Sequence, residues 1–370
     1  MEESFVKYRA LPAYVFMGKT VTFGQVDDAS RALAAYLQSL GLDKGDRVAV
    51  VLPNVPQYPG GGGRRSCGPA TWWSMSTRCT TPRELEHQLK DSGAKAIVIL
   101  ENCRSTLAQV IDACRPRRCC SSAMERHAGL DQGRHRQSCR AQGEEDGAGV
   151  LAAATPFAST TRRRRAGKGP HTAPKIGPDD IAVLQYTGGT TGVSKGAVLL
   201  HRNLVANLLQ AEAWYQPALK KIAAGEQVVT VCALPLYHIF GFNTNMMLAM
   251  RMGGCNILIP NPRDLAGRAR RSCRKHKFHS FPAVNTLFMA MANHPDFDKV
   301  DWSQLKISVG GGMAVQQATA QLWLEKTGCP ICEGLRPVGD LARRPPATRS
   351  TRTAYSGTIG LPLPNTELTR

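Results

Sequence analysis

Short apolar runs alternate with capped helical segments along most of this chain, and that alternation restricts it to an α/β fold with a largely parallel sheet covered by helices. A capping box reads at residues 22–25, after which Val26, Ala29, Leu33, Leu37 and Leu40 recur at helical spacing until Gly41 offers a C-cap. Residues 47–52 follow as a buried strand. Thr81, Pro82 and Glu84 supply an N-cap, a proline at the first helical position and a second capping box, Gly93 closes that helix, and 96–100 is again a strand. From Asp179 the rhythm resumes, with strands at 181–186, 228–234, 255–259 and 306–309. At 370 residues the chain suffices for two ordinary domains or one large domain with a satellite.

Four stretches break the rhythm: 60–80, 103–175, 267–274 and 335–352. They follow neither the strand nor the helix period, so nothing in 60–80 is expected to serve as a core element, and a loop as long as 103–175 is foreign to a compact domain. They also carry much of the arginine behind the formal net charge of +19, which comes from 47 Lys and Arg against 28 Asp and Glu. A nucleic-acid partner is not expected from that charge, because the arginines lack interleaved aromatics and a defined module. A zinc site from Cys114, Cys119, Cys120 and His127 matches no common ligand spacing. The residues that dominate, Arg, Gly, Ala, Pro, Cys, Ser and Trp, are those that GC-rich codons yield when displaced by one base. We read the four stretches as frame-shifted or disordered. The twelve cysteines, with no signal peptide and no apolar run long enough to span a bilayer, point to a reducing cytosol.

The segment with the densest chemistry is YTGGTTGVSKG, residues 186–196, directly after an apolar strand. Gly188, Gly189 and Gly192 let a ligand approach the backbone, Thr187, Thr190, Thr191 and Ser194 offer hydroxyl donors, and Lys195 adds a mobile cation. Those parts suit a polyphosphate. A Walker A loop would require Lys followed by Ser or Thr, and Lys195 is followed by Gly196.

In this motif the chain resembles the acyl-adenylate-forming (AMP-binding) superfamily. The likeness extends through the apolar strand and His-Arg-Asn cap at 197–203, the LPLYHIF segment at 234–240, the SVGGGM turn at 308–313 and GTIGLPLP at 357–364. In detail the wording is most similar to bacterial long-chain fatty-acid CoA ligases. What the resemblance implies is the large N-terminal domain of the adenylate-forming fold, stacked α/β subdomains with mostly parallel sheets, here incomplete over 1–370 with the C-terminal domain absent. It implies an acid-thiol ligase that joins fatty acid, ATP and coenzyme A through an acyl-adenylate, with Mg2+ required. Other carboxylate-adenylating ligases, for aryl or medium-chain acids, and a basic nucleic-acid-binding protein are the alternatives.

By the same resemblance Lys195 and His238 are the catalytic candidates. Thr187, Gly188, Gly189, Thr190, Thr191, Gly192 and Ser194 would hold phosphates, and Gly310, Gly311 and Gly312 would pass beside the adenine. Phe240, Phe242, Met246 and Met247 either wall an acyl tunnel or fill a helix core. No residue is assigned to metal, because 335–352 replaces the family's Tyr-Gly-x-Thr-Glu text and Glu333 precedes that position. The chain as written is therefore expected to show little or no ligase turnover. The resemblance implies a cytoplasmic protein and is compatible with peripheral contact at the inner face of the membrane and with a homodimer.

Overall fold

The computed structural model describes residues 1–62, 71–74, 81–100, 103–114, 118–122, 173–187, 193–261, 276–334, 346–347 and 361–363. The elements α1 (Glu2–Lys7), β1 (Pro12–Phe16), β2 (Lys19–Thr22) and α2 (Phe23–Ser39) open the chain. They are followed by β3 (Arg47–Val51), α3 (Gln57–Gly62), β4 (Thr71–Ser74), α4 (Pro82–Ser92), β5 (Ala96–Leu100), α5 (Arg104–Ala108), α6 (Ile111–Cys114), β6 (Arg118–Ser122), β7 (Ile181–Thr187) and β8 (Lys195–Leu200). Next come α7 (His201–Leu219), β9 (Val229–Cys232), α8 (Ile239–Gly241), a π-helical turn at Phe242–Met247, α9 (Leu248–Met252) and β10 (Cys255–Leu258). The last described elements are β11 (Ser280–Ala283), α10 (Asn285–Ala292), β12 (Ile307–Gly311), α11 (Gln317–Thr327), β13 (Ile331–Gly334), β14 (Pro346–Ala347) and β15 (Leu361–Pro362).

The chain divides into two compact units, one of residues 25–176 and 181–197, the other of 1–24, 177–180 and 198–370. A six-stranded sheet in the order β6-β5-β3-β4-β7-β8 underlies the first. Strands β3 to β7 pair in parallel within it. Parallel strands are covered on both faces, which is why β5 reads AIVIL without alternation and buries all five side chains. The preceding α4 starts and stops where its chemistry dictates. Thr81 Oγ1 accepts from Glu84 N at 3.3 Å while Glu84 Oε2 accepts from Thr81 N at 2.9 Å, and Gly93 ends the helix at φ 62°.

The second unit is built on nine strands in the order β15-β14-β13-β12-β11-β9-β10-β1-β2. The interior pairs are parallel, and antiparallel neighbours occur only toward the edges, at β1/β2, β13/β14 and β14/β15. Its core gathers Phe278, Phe281, Phe288, Trp302 and Trp323 against the apolar strands. Trp323 is fully buried, and its indole N–H finds the partner that burial demands in Ser308 Oγ at 2.9 Å.

Two expectations need correction. Thr71–Ser74, inside 60–80, does form a sheet strand: β4 pairs in parallel with β3 on one side and β7 on the other. Four residues carry too little periodicity to declare a strand, and the ladder is completed by partners distant in sequence. Likewise α5, α6 and β6 fall inside 103–175, and β14 inside 335–352; 267–274 lies outside the described residues. The buried face of α2 is also rotated from the predicted one. It runs through Val26, Asp27, Ser30, Ala34 and Leu37, leaving Ala29 exposed and Leu33 and Leu40 half-buried. The polar members are tolerated because Ser30 Oγ donates to Asp27 O at 2.8 Å and Arg31 Nε donates to the Asp27 carboxylate at 3.2 Å.

Candidate functional site

The glycine-threonine segment joins two neighbouring strands. Thr187 is the last residue of β7, Lys195 the first of β8, and Gly188, Gly189, Thr190, Thr191 and Gly192 lie outside the described residues. Both ends of the loop are fastened to α4. At the entry, the Tyr186 hydroxyl donates to the Asp91 carboxylate. At the exit, Ser194 O accepts from His87 Nε2 at 2.9 Å, and Ser194 Oγ accepts from Gln88 Nε2 at 3.3 Å. Burial first, and the bond to Asp91 second, push the Tyr186 phenol well above its usual pKa, so it stays a donor at every working pH. Gly196 suits this arrangement: a Cβ there would stand 3.0 Å from two carbons of the Tyr186 ring, which would have to shift by a few tenths of an ångström.

Lys195 is exposed, and among the described residues no carboxylate pairs with it. Thr187 and Lys195 stand at the two ends of the loop, one bringing a hydroxyl and the other a positive charge. Among the described residues no three His, Cys, Asp or Glu side chains converge. The residues that fix the loop, His87, Gln88 and Asp91, carry no motif in the sequence. Their only signal is a polar row on an amphipathic helix whose Leu85 and Leu89 are buried.

The His238 segment leaves the end of β9 and turns into α8. His238 Nδ1 accepts from Phe240 N at 3.2 Å, which leaves the proton of the neutral ring on Nε2. Gly241 makes the turn sterically feasible, since a Cβ there would stand 2.2 Å from Pro235 O. The π-helical turn that follows is pinned by amides. Asn243 Nδ2 donates to Asn207 Oδ1 at 3.0 Å, Asn245 Nδ2 to Val231 O at 3.3 Å and Asn256 Nδ2 to Asn245 O at 2.8 Å.

The three glycines at the end of β12 have different roles. A Cβ at Gly310 would meet Val315 at 2.5 Å and Ile331 at 2.8 Å, so the space before it is filled by the protein's own side chains. At Gly311 a Cβ would stand 3.0 Å from the Phe240 ring. Gly312 has φ 81°, a left-handed conformation that favours glycine, and a Cβ there would stand 3.4 Å from Val284 Cγ1. It lines a cavity of about 700 Å³ together with His238 and Phe240, a volume in the usual range for small-molecule sites. One row of α10 and its continuation, Thr286, Ala290 and His294, also line it. Of the four candidates for an acyl wall, Phe240 alone lines the cavity; Phe242, Met246 and Met247 are buried and absent from its lining. No motif marks the α10 row in the sequence.

Comparison with known proteins bears on both regions. Residues 1–61 and 74–369 match the family described as AMP-binding enzyme. The chain is 41% identical over 381 residues to a long-chain-fatty-acid–CoA ligase of Escherichia coli O6:H1, covering 99% of this chain and 64% of the relative. It is 40% identical over 378 residues to that of Yersinia pestis, with the same coverage. It thus spans a little under two thirds of the length of these relatives. The crystal structure of the anthranilate CoA ligase AuaEII in complex with anthranoyl-AMP superposes with a TM-score of 0.79 at 18% identity, over 98% of this chain and 63% of that one. The α/β architecture is that of adenylate-forming enzymes, and the chain belongs to the AMP-binding enzyme family.

Proposed function

We propose that this chain supplies the fatty-acid and nucleotide sites of a long-chain fatty-acid–CoA ligase. In that reaction a carboxylate oxygen attacks the α-phosphorus of ATP, the bond to pyrophosphate breaks, and the thiol of coenzyme A then displaces AMP to give the thioester. The observation that carries the reading is the cavity of about 700 Å³, whose walls come from the His238 turn, the Gly312 turn and a mostly apolar face of α10 that includes Leu287, Ala290 and Met291. Such a space accepts an alkyl chain far better than a charged or compact polar ligand.

Within this reading Lys195, with the hydroxyls of Thr187 and Ser194, holds the β- and γ-phosphates and balances the charge that grows on departing pyrophosphate. Gly188, Gly189, Thr190, Thr191 and Gly192 complete the cradle. The Nε2–H of His238 orients the carboxylate, and Gly310, Gly311 and Gly312 form the backbone turn beside the adenine. Magnesium supplies charge neutralisation on the phosphates when bound, and no described residue is assigned to it. The relatives' names favour long-chain acids. No helix among the described residues is long and apolar enough to cross a membrane, and the reading has the protein taking its substrate at the inner face of the membrane from the cytoplasm.

Equilibrium dialysis of the full chain against radiolabelled hexadecanoate and benzoate tests the assignment. Saturable binding of hexadecanoate, abolished by Ala290→Trp, is expected. Binding of benzoate in preference to hexadecanoate would refute it.

A further inference from the structure

We infer that His294 reads the far end of the acyl chain and makes the cavity selective for fatty acids bearing a hydroxyl at or near the ω carbon. The inference rests on the reading of the cavity as an acyl site and adds a substrate class to it.

The cavity has a direction. At the start of α10, Val284 lies 3.4 Å from where a Cβ of Gly312 would stand, and the neighbouring Gly311 is backed by the Phe240 ring, two residues from His238. His238 and the glycine turn therefore belong to one end. From there Thr286, Ala290 and His294 succeed one another four residues apart along one wall. Eight residues of helix advance about 12 Å. The turn persists past the end of α10, with His294 N donating to Met291 O at 3.1 Å, so His294 stands at the end remote from the glycines.

Its hydrogen bonding leaves one donor unspent. Asp296 N donates to His294 Nδ1 at 3.1 Å, so Nδ1 is the acceptor and the neutral ring carries its proton on Nε2. Among the described residues Nε2–H has no protein partner. The ring is half-buried, and the neighbouring lining on its side of the cavity is apolar, Leu287, Ala290 and Met291. A plain alkyl terminus reaching this point strips the donor of water and returns nothing, whereas a hydroxyl oxygen accepts its hydrogen bond. A terminal carboxylate is a poorer match. The Asp296 carboxylate lies 3.9 Å from Nδ1 of the same ring and, although paired with Lys299, places negative charge at this end.

The test is displacement of dansyl-undecanoic acid from the full chain by decanoic, dodecanoic and tetradecanoic acids, each beside its ω-hydroxy and ω-carboxy counterparts. At the length that reaches His294, the ω-hydroxy acid should displace the probe at roughly tenfold lower concentration than its parent, and the ω-carboxy acid should be weaker than the ω-hydroxy acid. His294→Asn is the informative variant, because an asparagine oxygen accepts the same N–H two residues on while the shorter side chain withdraws the donor from the cavity. In it the parent acid should bind as before and the ω-hydroxy preference should vanish; His294→Leu should do the same. An ω-hydroxy preference that is absent from the parent protein, or unchanged in both variants, overturns the inference alone. Failure of every acid to displace the probe overturns the acyl reading and this inference with it.

Discussion

Tyr186, at the end of β7, gives its hydroxyl hydrogen to the carboxylate of Asp91 on α4, and Gly196, the second residue of β8, leaves room for its ring. One side chain thereby fixes the entry of the glycine-threonine loop, occupies the space beside its exit, and ties both to a helix with a strong N-terminal cap. Replacing Tyr186 with Phe removes the bond while keeping the ring. Since Asp91 is exposed to water, the loss should be modest, about 1 kcal/mol in urea unfolding, with ATP affinity lowered because the loop loses an anchor. Gly196→Val should weaken ATP binding further by displacing the ring.

Lys195 separates binding from folding. The side chain is exposed and holds no ion pair among the described residues, so Lys195→Met should leave the thermal midpoint where it is. Calorimetric titration should show ATP affinity reduced roughly tenfold or more, the scale of one charge-assisted hydrogen bond, with AMP affinity nearly unchanged.

Gly241 offers the sharpest steric test. The Cβ of Gly241→Ala would stand 2.2 Å from the Pro235 carbonyl oxygen, and a backbone atom cannot step aside as a flexible side chain does. A loss of about 1–3 kcal/mol is expected from such overpacking, together with weaker fatty-acid binding, because the displaced turn carries His238 and Phe240 into the cavity wall.

Acid should loosen the nine-stranded sheet at His279. Its Nδ1 accepts from Val229 N at 3.0 Å, and burial lowers its pKa from the ordinary 6.5, with Glu226 pulling the other way and Lys306 adding to the lowering. A histidine whose folded pKa is depressed binds its proton more readily when unfolded, so stability is fully present above 6.5 and declines as pH falls through 6.5 toward the folded value. The thermal midpoint should drop over that interval, and less so in His279→Gln, which cannot titrate.

Much of this architecture can be read in the sequence, and the exceptions share a cause. Strands β3, β5, β7, β9, β10 and β12 announce themselves as apolar runs, and Thr81, Glu84 and Gly93 mark the ends of α4 by local chemistry alone. Strand β4 does not, because its order comes from ladders to β3 and β7, both far away in sequence. The face of α2 is misjudged for a related reason: Asp27 and Ser30 become buriable through hydrogen bonds that letters do not display. At the site, the glycine-rich motifs stand out by composition. The α4 clamp and the α10 row do not, since His87, Asp91, Ala290 and His294 acquire meaning only from what the fold sets against them.

The whole account turns on acyl-adenylate chemistry, and the most direct measurement is the shift in thermal midpoint of the full chain with non-hydrolysable acyl sulfamoyl-adenosines bearing hexadecanoyl, benzoyl or acetyl groups. A clear rise with the hexadecanoyl compound, exceeding the other two and lost in Ala290→Trp, is the predicted result. No shift with any of them, or a larger one with benzoyl than with hexadecanoyl, would contradict it.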